Sequence, residues 1–272
     1  MRHQDLGERD GPVLVFGGPY SNLQALQAVL DVAAARGIGA GNLICTGDVV
    51  AYCGDPVQVV EAVRASGMTV VAGNCELQLA QGALDCGCGF DDGSACDLLS
   101  AGWFGFASAQ VTQDQRDWMG QLPQIVTFSH QGKRYGVIHG GVTDVARFIW
   151  PSSPKAVFAE EWQAAEDVAG PLDAIIAGHC GVPFIRNTAR GRWINAGVIG
   201  MPPHDGAQYT RFGVIDGADV LIHSLKYDAQ AAVNSMENAG LVQGYHRALM
   251  TGYWPSEDVL PDDLRLPPFA KG

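Results

Sequence analysis

The chain has 272 residues, 47% hydrophobic and 17% charged, enough to bury one substantial core and too few to require a second. With 17 Lys and Arg against 29 Asp and Glu, the formal charge of -12 excludes a generic grip on nucleic acid, whose phosphates need clustered cations. A phosphate-bearing ligand would have to be held by a metal or by a local site.

In chain order, residues 1–11 are polar and lack the apolar segment of a signal peptide, so they read as an extension of a single domain spanning 1–272. No later run reaches membrane-spanning length, so the expected location is cytoplasmic, with no membrane partner. Short β-branched runs at 13–16, 43–45, 69–72, 135–139 and 174–177 are each followed by Gly, Asp, Asn or His and then by helical periodicity, which is the punctuation of βα units. Between the first two runs, Leu23, Leu26, Val29, Leu30 and Ala33 repeat at helical spacing, with Asn22 placed to cap the start and Gly37 to mark the end. Further amphipathic stretches begin near Pro56, Asp114, Ala156 and Ala229. Residues 82–94, with four glycines among Cys86, Cys88, Asp91 and Asp92, read as a loop. Segments 209–215 and 220–225 read as a hairpin turning at Asp216 and Gly217, which argues against a purely parallel sheet. Residues 226–272 read as closing helices and a tail rich in proline and acid. Seven cysteines, an odd number, fit thiols or metal ligands better than a disulfide framework, and Cys45 and Cys53 read as small core residues.

In α/β sheets ligands gather beyond the carboxyl ends of the strands. There the sequence places Gly47-Asp48, Gly73-Asn74-Cys75-Glu76, His139-Gly140-Gly141 and Gly178-His179-Cys180-Gly181. A carboxylate, an amide oxygen and two imidazoles, each beside a glycine that lets the chain turn, suit one divalent ion such as Mn, Fe or Zn.

Those motifs, in that order, resemble the calcineurin-like metallophosphoesterases, which read D-x-H-G-N, G-D, G-N-H/C-D/E, H-G and G-H-x-H. Residues 15–23 occupy the first motif, Gly47-Asp48 through Tyr52 the second, and Ile194-Asn195-Ala196-Gly197-Val198-Ile199-Gly200 is similar to the family's V-N-P-G-S-V-G turn. The resemblance covers nearly the whole chain. It is closest in pattern to the small phosphodiesterase and diadenosine-tetraphosphatase-like branch, and it implies an α/β fold in four layers, α-β-β-α, around mixed sheets.

By the family's pattern one metal is held at positions matching Asp48, Asn74, His139 and His179, all of which are retained. The other is held at positions matching Gly18, Tyr20, Asp48 and Gly181, where glycine offers no ligand and tyrosine could bind only as phenolate. The resemblance therefore implies a metal-dependent hydrolase of a small phosphomonoester or phosphodiester working with one ion. His204 is the candidate to replace the lost positive charge, against the plainer reading of an exposed loop histidine. Cys75 is placed at the site by its motif. Tyr20 and Asn22 are candidates to touch substrate, and Tyr20 and Trp103 to line a pocket, against core packing. Cys86, Cys88, Cys96 and Cys180 are candidate soft ligands that could fold into the vacated half. Two other readings stay open: a binding protein without hydrolytic activity, and an iron or thiolate-bound metal with changed chemistry. The expected partner is a small phosphate-bearing molecule, and an oligomer is compatible with the sequence.

Overall fold

The computed structural model describes residues 1–91 and 93–266, so Asp92 of the glycine-rich loop and the last six positions of the tail lie outside the described residues. Two mixed sheets pack face to face. The first is built from β2 (Val13–Phe16), β3 (Leu43–Cys45), β4 (Thr69–Val70), β10 (Thr210–Asp216) and β11 (Asp219–Leu225), in the order β11-β10-β2-β3-β4. The second contains β1 (His3–Glu8), β5 (Ile125–His130), β6 (Lys133–Val137), β7 (Ala174–Ala177), β8 (Phe184–Asn187) and β9 (Arg192–Asn195), in the order β1-β5-β6-β7-β9-β8.

Burial on both faces explains why the central strands read as continuous apolar runs rather than alternating ones. All four residues of β2 and of β7 are buried. Between the sheets, Val13, Val15, Ile44, Val126, Phe128, Val137, Ile176, Ile194 and Ile215 form one core. On the outer face of the first sheet lie α1 (Leu23–Ala35), α2 (Pro56–Ser66), α3 (Asn74–Gln81), α4 (Ala95–Gln110), α5 (Gln113–Met119), α7 (Ala229–Asn238) and α8 (Tyr245–Thr251). Outside the second sheet is α6 (Lys155–Ala169), whose Phe158, Trp162 and Ala165 pack beneath Ile175 and Trp193. The result is the four-layer α-β-β-α arrangement, with eight α-helices among the described residues. None of these helices is long and apolar enough to cross a membrane.

One expectation is corrected, and one helix lies where the sequence reading named no element. Residues 3–8 are no loose extension: they form β1, pairing parallel with β5 from His3 opposite Ile125, although their polar side chains gave no strand signal. Residues 95–110, which carry Gly102 and Gly105, form the longest helix because Trp103, Phe104 and Ala107 fall on one buried face. The strands near the site are also shorter at their carboxyl ends than their apolar runs suggest. β4 stops at Val70 and β6 at Val137, and the residues beyond them turn to deliver side chains.

Candidate metal centre

Strand ends from both sheets meet at one edge. β3 delivers Asp48, β4 leads to Asn74 at the first turn of α3, β6 delivers His139 and β7 delivers His179. The approach is close enough to require glycine at position 47, where a Cβ would lie 2.7 Å from the Gly73 nitrogen and 2.8 Å from His139 Nδ1. Asp48 and His179 themselves sit in the left-handed region, at φ 55° and 60°, which non-glycine residues seldom occupy.

The structure brings all four side chains into one cluster. His139 Nε2 lies 3.0 Å from Asn74 Oδ1, 3.1 Å from His179 Nδ1 and 3.3 Å from Asp48 Oδ2. On the far side of the same ring, Nδ1 is 2.6 Å from the Thr46 carbonyl oxygen, which can only accept. The ring's proton therefore belongs on Nδ1, and the Nε2 lone pair faces the other three groups. Two oxygens and two imidazole nitrogens thus converge with no Lys or Arg paired to Asp48; its ion-pair partners among the described residues are the two histidines. Such an arrangement is balanced by a proton on the imidazoles or by a cation at its centre.

The titration behaviour agrees. Burial would raise the Asp48 carboxyl, but the facing His139 and His179 hold it below its ordinary range. Burial pushes His139 down, and the Asp48 carboxylate more than reverses this, so His139 ends up raised. His179 is pushed down to about 3, by burial first and then by charge on His139, so the pair accommodates one positive charge and not two. The donor set of mixed nitrogen and oxygen at these separations fits a single divalent ion. Among the described residues, Asp48, His139 and His179 are the one group of three or more His, Cys, Asp or Glu ligand atoms lying within 4.8 Å of one another.

Two features outside the ligand set fix it in place. Glu76, fully buried on α3, accepts hydrogen bonds from the backbone N–H groups of Asp48 (2.8 Å), Val49 (2.8 Å) and Gly73 (2.9 Å), tying the Asp48 turn to the helix that carries Asn74. Burial and then the nearby Asp48 charge push this carboxyl up to about 7. Asn74 donates through Nδ2 to the Cys86 carbonyl at 2.8 Å and to Cys88 Sγ at 3.3 Å. Because the carbonyl cannot donate, the amide nitrogen must face it, and Oδ1 is left pointing at the cluster. Glu76 entered the sequence reading only as part of a motif; its signal was an acidic residue at the third position of a helix, able to reach back to the preceding N–H groups.

The vacated half is filled by rings. A Cβ on Gly18 would fall 2.5 Å from the ring of Tyr20, and one on Gly181 would fall 3.3 Å from the indole of Trp254. The Tyr20 phenol is pushed well up, by burial and then by the Asp48 charge, so it stays protonated in the metal-free protein. Next to these rings is a cavity of about 50 Å³ whose wall includes Tyr20, Tyr52, Phe148, His179, Tyr245 and Trp254. Phe148, in an irregular loop with no sequence signal, packs on His179 with ring centroids 4.2 Å apart.

Other sequence candidates are placed elsewhere or given other work. Both ring nitrogens of His204 are engaged: Nδ1 accepts from the Trp254 N–H at 2.8 Å and Nε2 meets Glu257 at 3.0 Å. It borders a separate cavity with Pro203 and Leu260, so it is a clasp for the C-terminal tail, neither a free loop histidine nor a group at the cluster. Asn22 spends both ends of its amide on structure, accepting from Ala25 N–H at 3.0 Å as the cap of α1 and donating to Gly200 O at 3.1 Å. Trp103 is buried core. Cys75, Cys86 and Cys88 do gather around Asn74, but none joins the ligand group, and all seven cysteines are free thiols. A hydrogen bond with Cys88 favours the Cys75 thiolate, yet burial and the Asp48 charge outweigh it and the thiol stays well raised, which makes it a poor nucleophile. Cys180 accepts from Asn195 Nδ2 at 3.1 Å, and burial pushes it up to about 12. Cys96 lines the ring-walled cavity.

A family profile described as a calcineurin-like phosphoesterase superfamily domain matches residues 20–217. An uncharacterized protein of Methanocaldococcus jannaschii, MJ0912, is 24% identical over 261 residues, covering 88% of this chain and 98% of its own. Two solved structures share the fold: a metallophosphoesterase from Sphaerobacter thermophilus (TM-score 0.68, 20% identity, 90% of this chain and 100% of that one) and hypothetical protein PH1004 from Pyrococcus horikoshii OT3 (TM-score 0.70, 17% identity, 90% and 98%).

Proposed function

The chain belongs to the calcineurin-like phosphoesterase superfamily, and from that premise we propose that it is a hydrolase of a small phosphomonoester or phosphodiester that works with one divalent ion, Mn, Fe or Zn, held by Asp48, Asn74, His139 and His179. The observation that carries the reading is the convergence of three buried donor atoms, Asn74 Oδ1, His179 Nδ1 and Asp48 Oδ2, on a fourth, His139 Nε2, at 3.0–3.3 Å. When bound, the ion would supply Lewis acidity at a phosphoryl oxygen and lower the pKa of water within its reach. The chain's own residues supply the rest. Thr46 O fixes the His139 tautomer, Cys86 O fixes the Asn74 amide, Glu76 locks the Asp48 turn, and the Tyr20 and Trp254 rings stand over Gly18 and Gly181. That last feature favours one ion over two, since positions 18 and 181 offer no ligand atom and their space is taken.

The test is elemental analysis of freshly purified protein, paired with hydrolysis of aryl phosphate and bis-aryl phosphate in Mn²⁺. One ion per chain and turnover lost in His139→Ala are expected. Two ions per chain refute the single-ion reading, and metal binding without turnover on any ester refutes the hydrolase. The same filled half-site favours a second reading, a metal-dependent binding protein without hydrolytic activity. Stabilisation of the metal-loaded protein by inorganic phosphate, with no turnover, would select it.

A further inference from the structure

We infer that the cavity beside His179 is a subsite for a compact alkyl group carried by the phosphorus-bearing ligand, walled in part by the rings that stand over Gly18 and Gly181. The inference rests on the phosphoesterase reading above and names the part of the substrate which that reading leaves open.

Position supports it. His179 belongs both to the four-donor cluster and to the cavity wall, so a ligand held at the cluster borders the cavity. The rings of Tyr20 and Trp254, which stand over Gly18 and Gly181, form part of the same wall, so the loss of one metal's ligands and the gain of an apolar surface occur at one place.

Chemistry narrows the occupant. Apart from His179, Ser256, two thiols and the phenol hydroxyls of Tyr20, Tyr52 and Tyr245, the wall is aromatic and apolar, with Phe90, Phe148 and Trp254 joined by Met201 and Val259, and it contains no Lys, Arg, Asp or Glu. A hydroxyl-rich or charged group entering it would lose its water and gain few partners, whereas an apolar group gains area burial and dispersion. Volume narrows it further. The cavity holds about 50 Å³, a third of the roughly 150 Å³ of an engineered protein cavity that binds benzene. A nucleobase or phenyl ring is too large, and a short chain of roughly two to four carbons fits.

The experiment is a calorimetric titration of Mn²⁺-loaded protein with inorganic phosphate, methylphosphonate, propylphosphonate and phenylphosphonate, none of which needs to be hydrolysed. Propylphosphonate is expected to bind about fifteenfold more tightly than methylphosphonate, roughly fourfold for each added methylene, and phenylphosphonate no more tightly than methylphosphonate. In Phe90→Ala, and independently in Val259→Ala should the first variant fold poorly, the enlarged cavity should let phenylphosphonate overtake propylphosphonate. Equal affinity for phosphate and all three phosphonates would overturn the subsite while leaving the phosphoesterase reading intact. Tightest binding of phenylphosphonate by the unaltered protein would overturn it as well. Failure of phosphate and every phosphonate to bind would remove the phosphoesterase reading, and the subsite with it.

Discussion

Replacing Glu76 with glutamine keeps the side chain's volume, removes a charge that burial and Asp48 disfavour, and changes what its two terminal atoms can accept. In the native protein one oxygen takes the N–H groups of Asp48 and Gly73 and the other takes that of Val49, all within 2.8–2.9 Å. Glutamine offers one oxygen and one NH₂. In its better orientation the oxygen keeps the first two bonds, and the NH₂ is forced against the Val49 N–H, leaving two buried donors without acceptors. At roughly 1–3 kcal/mol for each unsatisfied group the expected loss is about 3 kcal/mol, a fall in Tm of roughly 6–12 °C for a chain of this size. Because the same bonds hold the Asp48 turn, metal affinity should fall about 10–100-fold, the usual range for residues that support a ligand. Differential scanning fluorimetry without metal and chelator-competed Mn²⁺ titration read the two effects separately. If Glu76→Gln changes Tm by less than about 2 °C and leaves the affinity for Mn²⁺ unaltered, the role assigned to this carboxylate is wrong.

Three other outcomes are expected. Asn22→Ala should lower stability by about 1–2 kcal/mol through loss of the α1 cap and of the bond to Gly200, with Mn²⁺ affinity unchanged, since the side chain is a cap and not a substrate contact. Cys88→Ala should weaken Mn²⁺ binding several-fold while Cys88→Ser largely restores it, because Asn74 Nδ2 needs an acceptor there rather than a thiol; equal affinities in all three proteins would sink this assignment. The third concerns pH in the metal-free protein. Unfolded His179 takes a proton below about 6.5, whereas the folded side chain resists until about 3, so the unfolded state binds more protons in that window and stability falls as pH falls. Between pH 6.5 and 5 the loss is about 2 kcal/mol from this residue, and Tm against pH should be flatter over that range in His179→Asn.

Much of the site was legible because its residues are local signals: a hydrophobic run, then a polar residue beside a glycine, repeated at Asp48, Asn74, His139 and His179. The four-layer fold came from the family resemblance those motifs carry, while the late hairpin argued only against a purely parallel sheet. What the sequence could not show depends on distant contacts. His204 looked like a group at the site because its loop follows a family motif, but its environment is set by Trp254 and Glu257, about fifty residues further on. Asn22 was readable as a cap, and the structure leaves no atom of its amide for a second task. β1 was hidden because an edge strand with five exposed residues has no apolar pattern to reveal it. The cysteines of the glycine-rich loop do fold back toward Asn74, yet whether a thiol ligates or merely accepts a hydrogen bond is decided by a few tenths of an ångström that spacing cannot supply.

The left-handed region of backbone space recurs on both sides of the site. Gly18 and Gly181, standing where the family's pattern has an acid and a histidine, have φ of 36° and 73°, a region glycine enters without penalty. Asp48 and His179 sit in the same region at a cost of roughly 1–3 kcal/mol each. Tyr20 does so too, at φ 53°. The metal-free protein therefore holds a carboxylate and an imidazole in a conformation neither prefers, and an Asp48→Gly or His179→Gly variant would relieve that backbone strain while losing the donor.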